Sequence, residues 1–157
     1  MTLAAADRLA LSELVHRYAA HVDEYQFDSV AELFTISAEL VVPEPPADLT
    51  PVLVHRGREA IAAAVGTVAA VLRTEHAIVG EVYDEAPRSP GAATGRIACI
   101  AHHWNRRGDE FVDVVWHLRY SDCYEMTDAG WRISRRELTI NAIETRPVRR
   151  LRVPDAT

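Results

Sequence analysis

A carboxylate and two imidazoles carry most of the chemical potential of this sequence. His76 stands at the head of an apolar run, RTEHAIVG (73–80). Runs of this length rich in β-branched residues form buried strands, and an imidazole buried there needs a partner. His102 and His103 interrupt a second such run, GRIACIAHHWN (95–105). Asp23 follows an apolar helical stripe and flanks it rather than opposing it, so its carboxylate can reach the interior. A carboxylate bonded to one imidazole nitrogen fixes the tautomer and raises the pKa. The other nitrogen then serves as acid or base near neutral pH. Two such rings across one pocket permit a β-elimination, one removing a proton α to a carbonyl and the other protonating the departing hydroxyl. Tyr18 or Tyr120 would hold the carbonyl oxygen as enolate character develops. This chemistry asks for no cofactor and no metal. The same groups would also drive an aldol-type cyclisation or a double-bond shift.

Each of these residues has a plainer reading. His76 could be a core histidine bonded to a backbone carbonyl, and His103 an edge or surface residue of a hairpin. Tyr18 and Tyr120 could be core aromatics. Asp23 could bond nearby backbone, and Asp122 could be solvated or paired with Arg132. Together the plain readings weaken, because one predicted face carries them all. A facial iron triad is disfavoured, since its two histidines would be expected close together on a strand. Cys99 has no activating neighbour beyond His103, which argues against a thiol nucleophile. Arg132, Arg135 and Arg136 read as a solvated strand face.

The elements that must position these groups follow from periodicity. Leu11, Leu14, Val15, Tyr18 and Val22 recur at helical spacing and predict a first helix. QFDSVAELF (26–34) predicts a short second helix, with Asp28 as N-cap. Residues 39–42 predict a strand stopped by PEPP at 43–46, and 47–54 a loop or short strand. EAIAAAVGTVAAVL (59–72) predicts a third helix. Four longer strands follow over 73–85, 95–105, 111–126 and 131–144, with turns at APRSPGA, NRRGDE and Asp128-Ala129-Gly130. From about residue 145 the tail has no clear period and is expected to lie at the periphery.

Side chains alternate along a strand, so faces can be assigned. Trp116, Leu118, Tyr120 and Asp122 share the face that should look at the helices. A two-residue turn centred on Arg107-Gly108 pairs His103 with Val112, which puts Ile97, Cys99, Ala101 and His103 on that same face. A slip of one residue would exchange His102 for His103. The expected lining is therefore Asp23, His76, His103 and Tyr18 as catalytic groups, with Tyr120, Asp122, Trp116, Leu118, Val42, Cys99 and Asn141 contacting substrate. Helices first, one strand among them, then a meander predict an α+β domain spanning 1–157, with helices on one face of a curved, mainly antiparallel sheet.

The totals set limits. The chain has 157 residues, is 48% hydrophobic and 25% charged, and carries a net charge of −6. That suits one globular domain and offers no basic face for nucleic acid or anionic lipid. Asp7 and Glu13 interrupt the N-terminal stretch, so neither a signal peptide nor a membrane span is expected, and the compartment expected is the cytoplasm. The two cysteines read as small buried side chains.

The run HRYAAHVDEYQFDSVAELF (16–34), then RTEH (73–76), then the meander closing on DAGWRISRREL (128–138), resembles the SnoaL-like branch of the NTF2-like superfamily. That resemblance spans about residues 7 to 143 and implies a cone enclosing one pocket. In site pattern it is closest to the scytalone dehydratase family, whose aspartate and two histidines would be Asp23, His76 and His103. The two tyrosines with which that family holds a water would fall at Val22 and about Val42, and are missing. Tyr18 and Asp23 also have the spacing of the tyrosine–aspartate pair in bile-acid dehydratases. Against ketosteroid isomerase, Tyr18 and Asp122 fall near the oxyanion-hole positions, but the base aspartate would be Val42. The resemblance implies a dehydratase on a polyketide-, aromatic- or steroid-like hydroxy-carbonyl molecule. An isomerase, a cyclase or a non-catalytic ligand-binding or assembly domain are its alternatives. It also implies a homodimer (or trimer) paired through the outer sheet face near His102, His117 and Arg119.

Overall fold

The structure, a computed structural model, describes residues 3–153. Three α-helices, α1 (Ala5–Asp23), α2 (Phe27–Glu32) and α3 (Gly57–Val65), are set against a sheet of six strands. These are β1 (Phe34–Glu44), β2 (Asp48–Arg56), β3 (Arg73–Glu85), β4 (Ala92–Arg107), β5 (Glu110–Thr127) and β6 (Gly130–Val148). Their order is β2-β1-β6-β5-β4-β3. Only β1 against β6 is parallel; the other neighbours are antiparallel. The fold is the expected α+β cone, with helices covering one face of a mainly antiparallel sheet.

Helix α1 buries the predicted stripe, Leu11, Leu14, Val15, Tyr18 and Val22, and Ala19 with it. These pack with Ile97, Leu118, Tyr120, Ile133 and Ile140 from the facing strands. Several element boundaries differ from expectation. Asp28 lies in the first turn of α2, which begins after Gln26 without a side-chain cap. The third helix is α only to Val65 and tightens to a 3₁₀ turn over Gly66–Ala70. At that junction a Cβ on Gly66 would meet the Phe27 ring at 3.5 Å, an ordinary van der Waals contact.

β1 starts five residues early and runs through Pro43, where a register shift between Val42 and Glu44 absorbs the missing donor. Residues 48–56 form a full strand at the sheet edge, a position that tolerates Pro51. β6 continues to Val148, because β5 is long enough to offer Phe111 to Val114 as partners for residues 145–148. Residues 154–157 of the expected tail lie outside the described residues.

The β4–β5 hairpin turns at Gly108-Asp109, with Gly108 at φ +62°, a conformation that suits a two-residue loop. His103 therefore pairs with Val114 and not Val112. The shift is two residues, so every side chain keeps its predicted face.

Candidate functional site

Asp23 is the last residue of α1. A carboxylate there faces the negative end of the helix dipole and needs donors from elsewhere. Strand β3 supplies three. The Thr74 hydroxyl donates to Oδ1 at 2.9 Å, the His76 amide to Oδ2 at 2.8 Å, and His76 Nδ1 meets Oδ1 at 2.7 Å. Thr74 and His76 are alternate residues on one face of the strand, so a single carboxylate can reach both. Burial works to raise the Asp23 carboxyl, but the bonds from His76 and Thr74 prevail and hold it below its ordinary value. Asp23 accepts at Nδ1, so that nitrogen carries the proton and Nε2 is the free acid–base atom.

His103 faces His76 across the interior, ring centroids 6.1 Å apart and nearly perpendicular. Its Nδ1 lies 2.9 Å from the Val114 carbonyl, which again places the proton on Nδ1 and leaves Nε2 as an acceptor. Burial pushes this imidazole below its ordinary pKa; the Val114 bond opposes that and nearby His76 adds to it. Trp116 packs on the ring at 4.5 Å. His102 projects to the opposite face, where it bonds Asp113 at 2.6 Å and stacks on Trp104. The choice between His102 and His103 thus falls to His103.

Both rings line a cavity of about 350 Å³. Tyr18, Val42, Trp116, Leu118 and Tyr120, all expected there, line it as well. Among the described residues, no aspartate, glutamate or arginine does. Four expected residues are not in the lining, and one of them, Asp23, reaches the cavity only through His76, which it braces. Cys99 faces inward but is sealed in the core, where burial pushes its thiol up to about 12. Asp122 is buried in an ion pair with Arg136, which donates from Nε to Oδ1 at 2.8 Å and from Nη2 to Oδ2 at 2.6 Å. Asn141 is exposed at a bulge of β6 and faces away from the cavity.

Arg136 corrects the sequence reading most sharply. It is 0% exposed, not solvated. Its guanidinium lies 4.2 Å from the ring centroids of both Tyr18 and Tyr120, a cation–π arrangement on each. Nη1 has no partner among the described residues. Tyr124 donates to Asp122 at 2.6 Å and completes the network. Burial raises the Tyr18 and Tyr120 phenols above their ordinary values, with Arg136 opposing.

Two functional candidates escaped the sequence reading. Thr74 was legible in principle, two residues from His76 on the same strand face. His55, on β2, also lines the cavity, but its strand had no clear period. Among the described residues, no group of three His, Cys, Asp or Glu side chains is placed to hold a metal ion. No helix among them is long and apolar enough to cross a membrane.

Many solved structures share this architecture, three of them as follows. A presumed scytalone dehydratase of Novosphingobium aromaticivorans is 20% identical, with a TM-score of 0.72 over 94% of this chain and 91% of its own. A hexachlorocyclohexane dehydrochlorinase of Novosphingobium barchaimii is 19% identical, with a TM-score of 0.71 over 96% of each chain. An NTF2-like protein with a cystatin-like fold, also from N. aromaticivorans, is 25% identical, with a TM-score of 0.68 over 87% of this chain and 82% of its own. No curated protein sequence is significantly similar to the chain. The model of the SnoaL-like domain matches residues 4–137, which is most of the sequence and includes every element from α1 to the middle of β6. The chain belongs to the SnoaL-like domain family.

Proposed function

We propose that this chain is a cofactor-independent lyase, a dehydratase acting on a polyketide-, aromatic- or steroid-like hydroxy-carbonyl small molecule. The observation that carries this is the braced Asp23–His76 pair facing His103 inside an apolar cavity. His76 Nε2 takes the proton α to the carbonyl, and Asp23 stabilises the imidazolium that forms. His103 begins with an unprotonated Nε2, so it accepts a hydrogen bond from the substrate's β-hydroxyl and orients it. The carbon–oxygen bond then breaks, and the proton gained by His76 leaves with the hydroxyl as water. The Tyr18 or Tyr120 phenol supports the developing enolate oxygen. Two neighbours named for eliminations, a dehydratase and a dehydrochlorinase, support the reading at the level of the fold.

A direct test is 3-hydroxy-1-tetralone, which loses one water to give fluorescent 1-naphthol. The expected result is formation of 1-naphthol well above the buffer rate. Asp23→Asn and His76→Gln should each lower kcat by roughly 100- to 10,000-fold, the range for loss of one acid–base group. Exchange of the C2 protons in D₂O is followed in parallel by NMR. Exchange without naphthol would move the assignment to isomerisation or cyclisation. Neither exchange nor naphthol would sink the acid–base reading of this site.

A further inference from the structure

His76 and His103 lie on β3 and β4, at one end of the strand order, while His55 lies on β2 at the other. All three line the same cavity, because the sheet curls round it. The wall about His55 is apolar. Its cross-strand partner is Leu40, and the next inward pair is Val42 with Leu53; all of them line the cavity. Pro43 and Val68 also line the cavity. No hydrogen bond or ion pair engages His55 among the described residues. An imidazole in an apolar wall with neither nitrogen satisfied by protein is one that a ligand can satisfy.

The charges of the site cancel locally. Arg136, beneath the tyrosines, is matched by Asp122, and an imidazolium at His76 is matched by Asp23. An entering carboxylate or phosphate would lose hydration and meet no permanent cation, since among the described residues no arginine or lysine lines the cavity. The volume, about 350 Å³, is at the small end for ligand pockets, roughly 300–1,000 Å³.

We propose that His55 is a specificity-determining residue: it holds a second polar group of the substrate, at the end away from His76 and His103, and the cavity admits only uncharged, compact ring systems. The substrate is thus an uncharged bicyclic or similar molecule with an oxygen at each end. This rests on the reading of the cavity as a substrate site and adds to it the charge and the second oxygen.

Three naphthalene probes of one shape test it by calorimetry: 2-naphthol, 2-naphthoate and 2,6-dihydroxynaphthalene. The expected order has 2-naphthol binding at least about ten-fold more tightly than 2-naphthoate, since the buried carboxylate goes unpaired. The diol should bind about five-fold more tightly than 2-naphthol, the worth of one added hydrogen bond. His55→Leu should abolish the preference for the diol while 2-naphthol still binds, and His55→Gln should restore it in part. Equal binding of naphthoate and naphthol overturns the uncharged class. A diol preference that survives in His55→Leu overturns the role of His55. The outcome is separable from the dehydratase test: naphthol selectivity without turnover of 3-hydroxy-1-tetralone by the wild-type protein removes the elimination and leaves the substrate class standing.

Discussion

Asp122 and Arg136 are opposite charges sealed beneath the cavity floor, each 0% exposed at the side chain. Such a pair costs desolvation and returns it only while both members are present. Replacing Asp122 by Asn keeps an acceptor for Tyr124 but leaves the guanidinium without its counter-charge. The expected loss is about 3–5 kcal/mol, the usual cost of an uncompensated buried charge. Arg136→Met in the same chain removes the orphaned charge and leaves an apolar side chain under Tyr18 and Tyr120. The double variant should therefore be more stable than Asp122→Asn alone, read from urea midpoints of the three proteins. If the double variant is the weaker, the cation–π contacts of Arg136 outweigh its charge problem. At this scale the sequence was legible where chemistry and periodicity agreed: His103 carried both residue type and strand alternation, Asp23 its place beside a helical stripe, and His76 its position at the head of an apolar run. Arg136 carried a misleading one, because arginine is rarely buried and its partner, Asp122, lies on the neighbouring strand.

Bulges explain what alternation alone misread. On β6, Trp131 and Ile133 face inward at odd numbers, whereas Arg136, Leu138 and Ile140 face inward at even ones. The switch coincides with the register shift opposite Cys123 and Tyr124, and a second shift opposite His117 and Leu118 turns Asn141 outward. An extra residue in one strand exchanges faces beyond it. The signal was present, since the apolar positions change parity twice between 131 and 143. Position 95 on β4 shows how tightly the strands then interlock. A Cβ on Gly95 would lie 2.8 Å from both Cε2 and the hydroxyl oxygen of Tyr124. Tyr124 is buried and holds Asp122, so it cannot swing aside. Gly95→Ala should cost roughly 1–3 kcal/mol as overpacking. At about 2–4 °C per kcal/mol for a chain of this size, the melting temperature should fall by several degrees. An unchanged melting temperature would mean that the Tyr124 network repacks without loss.

Across the whole molecule, the least legible feature was the closure of the cavity. It depends on β1 pairing in parallel with β6, about a hundred positions away in sequence, and on an edge strand whose residues 48–56 show no clean alternation. His55 could be placed only once that pairing was known. The same closure buries His103 and ties acid stability to it. The folded protein keeps this ring neutral below its ordinary pKa of 6.5, whereas the unfolded chain protonates it near that value. Between that pH and the lower folded value the unfolded state binds more protons, so stability is full above about pH 6.5 and declines as the medium is acidified through the window. His76 and His102 sharpen the effect by disfavouring a second cation, while Asp113 and the Val114 carbonyl oppose it. Asp23 acts lower on the scale: its contribution is complete above an ordinary value of 3.8 and is lost as pH falls through the depressed folded one. Urea midpoints at about pH 7.5 and about pH 5.5, either side of the ordinary histidine value, isolate the first effect. The wild-type protein should lose stability between them, and His103→Gln, which keeps a polar side chain but cannot titrate, should lose measurably less. Equal losses in the two proteins would assign the decline to the other histidines and would remove the burial of His103 as its cause.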